Sequence, residues 1–265
     1  MLVEAAALLA LAAPGDVAHR VAVSIARDGP RPAASAAERR AHGRIARRFR
    51  NAGLAVRVQG FATPRGRSRN VIGMRPGAGG CLRVLMAHTD SVPAGPGAED
   101  NASGLGVLAA LAPRLEALDP RCEVWLVATG AEERLYTGSP DHLGALALSR
   151  IVPRARLRYA LSLDEVGSST RFRLRSPAAG PRRAVEGELL RAARRARVGL
   201  DWQRDSGSGN SDHREIELAG MRGVKLGVLD NPCRHLACDR PDRLRSDAFA
   251  AALRLVENVL SPDPG

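Results

Sequence analysis

Lysine is almost missing from this chain. Lys225 is the only one among forty basic residues, and the rest are arginine. Aromatic residues are also scarce, at 3% of 265 positions, which leaves little material for stacking nucleic-acid bases. The arginines are scattered through every segment rather than gathered in one block. The formal net charge of +12 therefore reads as an arginine-biased solvated surface, not a specific nucleic-acid site, although it can attract acidic peptides or anionic surfaces. No apolar run approaches the ~20 residues that span a bilayer, so no membrane-spanning helix is expected. Hydrophobic content of 45% is ordinary for a globular protein, and the length suffices for one large α/β domain with a well-buried core.

Cysteine is limited to four residues in two suggestive pairs. Cys233 and Cys238 flank His235, and Cys81 and Cys122 open two hydrophobic stretches. The preferred reading is four buried thiols, with a Cys233–Cys238 disulfide as the alternative in an exported protein. The alanine- and leucine-rich start, Met1 to Pro14, lacks a basic leader and carries Glu4. It reads as an amphipathic helix, and a cytoplasmic location is expected; export is the alternative if Met1 to Ala13 acts as a signal.

Residues 3–13 and 17–27 read as helices broken at Pro14-Gly15, and a loop follows at Asp28 to Pro32. Ser35 with Glu38 is a capping box that starts a long helix marked by Ala41, Ile45 and Phe49, with Gly53 at its end. Strands are expected at 55–58, 70–74, 82–88, 123–129, 157–163 and 223–229, and helices at 104–118, 139–150, 181–197 and 243–260. Alternating strands and helices predict a single-domain α/β/α sandwich over residues 1–265 with a mostly parallel, mixed central sheet. Residues 1–34 would pack on its core as helices and loop. In such sheets ligands bind beyond the carboxyl ends of the strands. His88, Glu132, Glu133 and Asp164 all sit just after expected strands, so four chemistry-bearing positions converge on one rim.

Carboxylate and imidazole together are the donors a divalent zinc site uses. His88 ends a strand, and Asp90 two residues on can accept the imidazole's other N–H. Asp100 lies in a small-residue loop leading into a helix, where it can bridge two ions or simply cap the helix. Glu132 and Glu133 are adjacent like charges, which are costly without a cation. A division of labour resolves this, with Glu133 as ligand and Glu132 as general base. Asp164 is preferred as ligand over its neighbour Glu165, and His235 would supply the last imidazole. His19, His42 and His142 read as surface or helix residues. Ser211 and Asp212 either cap the helical stretch that His213 opens or, with His213, line the site.

These pieces resemble the M28 zinc aminopeptidases. The matching segments are Ala87 to Ser91, Gly97 to Gly104, Gly130 to Glu133 with Gly138-Ser139, Asp164, Ser211 to His213, and His235, in family order. Gly29 to Pro32, Ser35 and Asn70 to Gly73 also look like the family's upstream segment. The resemblance implies two Zn²⁺ per chain, other divalent metals being alternatives. His88 and Asp164 would hold one ion, Glu133 and His235 the other, and Asp100 would bridge them. Glu132 would be general base and acid in the removal of N-terminal residues from peptides with a free N-terminus, acting on a water shared by the metals. The resemblance also implies a cis peptide at Asp100–Asn101. Asp90, Arg234, Asp212 and His213 would support the ligands or line the substrate pocket. Many members have Tyr where this chain has Arg234, which leaves substrate preference open.

Two rival readings stand beside this one. A glutaminyl-cyclase-like enzyme of similar fold would use one zinc and fewer ligands. A non-catalytic metal-binding or scaffold protein on the same fold would have lost ligands or the base, and this chain retains both.

Overall fold

The computed structural model describes residues 13–118, 121–134 and 141–261. The expected helix over residues 3–13 lies almost wholly outside them. Among the described residues no helix is long and apolar enough to cross a membrane.

Among the described residues eight strands form one mixed sheet in the order β1-β2-β4-β3-β5-β8-β6-β7. They are β1 (Ala55–Thr63), β2 (Gly66–Arg75), β3 (Leu82–His88), β4 (Glu123–Thr129), β5 (Leu157–Leu163), β6 (Arg171–Ser176), β7 (Gly199–Arg204) and β8 (Gly223–Val228). The central four, β4-β3-β5-β8, run parallel, as expected of apolar strands buried on both faces. Strand β3 shows why: Leu82, Val84 and Met86 enter one apolar cluster, and Leu85 and Ala87 enter the other. The α-helices among the described residues are α1 (Pro14–Ala26), α2 (Ala36–Asn51), α3 (Ser103–Leu111), α4 (Leu115–Leu118), α5 (Leu143–Ser149), α6 (Glu186–Ala196), α7 (His213–Leu218) and α8 (Ser246–Leu260). The larger cluster joins α1, α2, α3, α6 and α8 to one face, and the smaller one seats α5 and α7 on the other. This is the α/β/α sandwich read from the sequence.

Several boundaries differ for local reasons. Pro14 starts a helix instead of breaking one, because a first-turn proline loses no needed N–H. The helix expected over 104–118 is divided at Ala112–Arg114, where Pro113 cannot donate. Strands β6 and β7 were not expected at all. Ser35 does cap α2, its Oγ accepting from Glu38 N at 3.1 Å.

The four cysteines are not thiols. They form the disulfides Cys81–Cys122 and Cys233–Cys238. Leu82 and Glu123 are register partners on neighbouring parallel strands, so the residues just before them are brought side by side.

Candidate metal centre

The rim of the parallel strands gathers the expected residues. His88 closes β3 opposite Thr129 of β4, Glu132 and Glu133 follow β4, and Asp164 follows β5. Asp100 arrives on the kinked turn Ala98–Ala102, where the Asp100–Asn101 peptide is cis. His235 comes from the loop closed by the Cys233–Cys238 disulfide. Asp100 is held by buried partners: Asp239 accepts from the amides of Glu99 at 2.7 Å and Asp100 at 3.0 Å. Asn101 donates to the Leu163 carbonyl at 2.8 Å and accepts from Gly104 N, which ties the turn to β5 and α3. Gly97 has φ 57°, and a Cβ there would stand 2.3 Å from the Asp100 carbonyl, so only glycine fits.

Arg31, fully buried, stitches the surrounding loops. It donates to the carbonyls of Thr89 at 2.9 Å, Gly97 at 3.0 Å and Pro96. Burial lowers its pKa to about 10, against the raising charges of Asp90, Asp239 and Asp100.

Among the described residues three groups of donor atoms lie, within each group, no more than 4.8 Å from one another: His88 with Asp100 and Asp164, His88 with Glu132 and Glu133, and Asp100 with Glu133 and His235. His88 Nε2 is 3.0 Å from Asp100 Oδ1, 3.7 Å from Asp164 Oδ1 and 3.9 Å from Glu132 Oε2. His235 Nε2 is 3.0 Å from Glu133 Oε2 and 3.3 Å from Asp100 Oδ2. The two oxygens of Asp100 thus face the two histidines separately.

The electrostatics of the cluster call for added positive charge. Burial pushes Glu132 well above the usual carboxylate range, and burial with the Asp100 charge raises Glu133 to about 7. Burial opposes ionisation of Asp164, but the Lys225 ammonium, 2.6 Å away, overrides it and holds the carboxyl low. Burial likewise opposes charge on His88, yet Glu132, Asp100 and Asp164 raise it well above 6.5. Asp100 and Glu133 raise His235 to about 10. Carboxyls and imidazoles this close retain protons to balance charge, and a divalent cation supplies that balance directly. The donor set therefore fits zinc.

Other expected residues surround the cluster without joining it. The Asp90 carboxylate does not take the second N–H of His88; the Asp90 carbonyl faces Nδ1, at 3.1 Å. The carboxylate instead accepts the backbone amides of Glu132 and Glu133, each at 3.0 Å, because the loop after β4 turns back over it. Glu165, the neighbour of Asp164, accepts from Arg234 Nε and from Asn231, and it also pairs with Arg234 Nη2, so Arg234 is anchored rather than free. Asp212 does not cap α7; it accepts from the Thr129 hydroxyl. His213 is fully buried with Nε2 2.7 Å from Asp205, and Ser211 meets Ser162. Neither Asp212 nor His213 lines the cavity over the cluster.

Residues that sequence reasoning missed complete the site. His142, read as a surface or helix residue, is buried beside Glu132, whereas His42 is a helix residue of α2 as read, although buried. A cavity of about 400 Å³ opens over the cluster, with the missed residues Lys225, Arg214 and His142 among its walls beside Arg234, which was expected there. Lys225 carried the one available signal, as the sole lysine of the chain.

A family model described as Peptidase family M28 matches residues 70–260. Aminopeptidase YwaD of Bacillus subtilis (strain 168) is 36% identical over 85 residues, which is 32% of this chain and only 18% of that protein. The structure of a zinc aminopeptidase from Bacillus subtilis superposes with a TM-score of 0.81 at 17% identity, covering 92% of this chain and 93% of that one. A glutaminyl cyclase from Bacteroides thetaiotaomicron, bound to N-acetylhistamine, gives 0.80 at 20% identity over 94% and 98%. At such identities these likenesses show the fold alone.

Proposed function

The chain belongs to peptidase family M28, and from that membership we propose that it is a zinc aminopeptidase with two metal sites sharing Asp100. The observation that supports this reading is the placement of Asp100 between two histidines: one Asp100 oxygen lies 3.0 Å from His88 Nε2, the other 3.3 Å from His235 Nε2. His88 and Asp164 would hold one ion, and Glu133 and His235 the other. When bound, zinc supplies Lewis-acid polarisation of the scissile carbonyl and makes water more acidic.

The remaining work falls to the chain. Glu132 lies beside the cluster without being needed as a ligand, and its burial favours proton uptake. It takes a proton from the attacking water and returns it to the leaving amine. Asp90 holds the backbone of Glu132 and Glu133 so that both carboxyls reach the centre. The cavity is of small-ligand size, which suits trimming one end of a peptide. The two disulfides support an oxidising compartment, so we favour export over the cytoplasm.

The test is mass spectrometry of a mixed peptide pool, including peptides that begin with glutamine, treated with zinc-loaded protein and with Glu132→Gln. Stepwise loss of N-terminal residues, absent in the variant, is expected. Loss of ammonia from N-terminal glutamine without shortening would instead establish a cyclase. Intact peptides would point to a binding role.

A further inference from the structure

His142 stands between two buried carboxyls. Its Nε2 is 3.5 Å from Glu132 Oε1, and its Nδ1 is 3.3 Å from Glu215 Oε1. All three residues are at most 6% exposed. The other oxygen of Glu132, Oε2, is the one nearest His88, at 3.9 Å. Glu132 is therefore bracketed, with one oxygen toward His142 and one toward the acidic cluster.

The ring itself is fixed from behind. Arg214 Nη1 lies 3.3 Å from Glu215 Oε1 and 3.4 Å from Asp141 Oδ2. Two adjacent pairs, Asp141 with Arg214 and His142 with Glu215, thus cross-link the entry of α5 to the start of α7. His142 has φ 50° and ψ 48°, a left-handed conformation uncommon for residues other than glycine. A bulky side chain kept there is a pointer to function, and here the side chain ends at Glu132.

We propose that His142 is a positioning residue for Glu132. Glu215 orients the imidazole through Nδ1, and Nε2 holds the Oε1 edge, which keeps Oε2 turned to the reacting atoms. This rests on the reading of Glu132 as general base. A side chain fixed by its partners keeps a catalytic group in its productive orientation, and losing such support costs about 10–100-fold in activity.

The experiment compares His142→Ala, His142→Gln, Glu215→Gln and Glu132→Gln, each with zinc content and melting temperature measured. His142→Ala is expected to lower kcat about 10–100-fold, with KM and zinc content little changed. His142→Gln, which keeps a hydrogen-bonding group, should recover most of the loss, and Glu215→Gln should show a smaller loss of the same kind. A readout independent of turnover is the ¹⁵N resonances of the His142 ring, which should move in Glu132→Gln. Wild-type kcat in His142→Ala, or unmoved ring nitrogens, overturns the proposal while Glu132→Gln is inactive. A fully active Glu132→Gln would remove the general-base reading and this role with it.

Discussion

Lys225 Nζ lies 2.6 Å from Asp164 Oδ2, and both side chains are buried. A chain that otherwise uses arginine places its one lysine against a proposed zinc ligand. Replacing Lys225 with Met strands a buried carboxylate, a change that costs about 3–5 kcal/mol in comparable pairs. In chelator-treated protein that loss should appear in full in urea unfolding. With zinc present the proposed ion would compensate Asp164, and the loss should be much smaller. Equal losses in both conditions would count against Asp164 as a ligand.

Asp90 accepts two consecutive amides, those of Glu132 and Glu133. Asp90→Asn loses one acceptor and the charge that orders this loop. We expect about 10–100-fold weaker zinc binding or activity. Chelator competition checks the first, and unchanged affinity in a folded variant would assign Asp90 to the fold alone.

His42 is buried in α2, and burial lowers its pKa to about 3 from an ordinary 6.5. The folded state therefore binds fewer protons here than the unfolded chain. The stability from the neutral ring is fully present above about pH 6.5 and is lost as pH falls toward about 3. His42→Leu should match the wild type's pH dependence near neutrality and lose less stability below it. The gap should open by at most ~1.4 kcal/mol per pH unit. Parallel stability curves from pH 7 to pH 4 would contradict this.

The two disulfides should contribute unequally. Cys81–Cys122 spans 41 residues and Cys233–Cys238 spans 5. Loop-closure entropy gives about 4 kcal/mol for the first and about 2 kcal/mol for the second. Cys81→Ser with Cys122→Ser should lower the melting temperature more. Cys233→Ser with Cys238→Ser should chiefly weaken zinc binding through His235, as followed by zinc release.

The parallel core was legible because strands buried on both faces read as apolar runs, as in β3 and β4. Strand β6 was not, although Phe172 and Leu174 are buried at period two. Arg171, Arg173 and Arg175 between them look like a solvated face in an arginine-rich chain. His88, Glu132, Glu133 and Asp164 were visible because they sit at strand ends, whereas Asp100 and His235 lie in loops. Their supports were not, since Asp239 reaches Glu99 across 140 residues and Arg31 reaches Thr89 across 58. Contacts at such separations follow from the folded topology and leave no local pattern in the sequence. His142 shows the same limit: its neighbours in the chain gave no hint of Glu132 or Glu215.

The most direct measurement is zinc stoichiometry by native mass spectrometry for the wild type, His88→Ala, His235→Ala and Asp100→Ala. Two zinc ions are expected in the wild type, one in each histidine variant, and one or none in Asp100→Ala, since the two proposed sites would share that carboxylate. A single ion in the wild type, or two retained in Asp100→Ala, would contradict the shared centre.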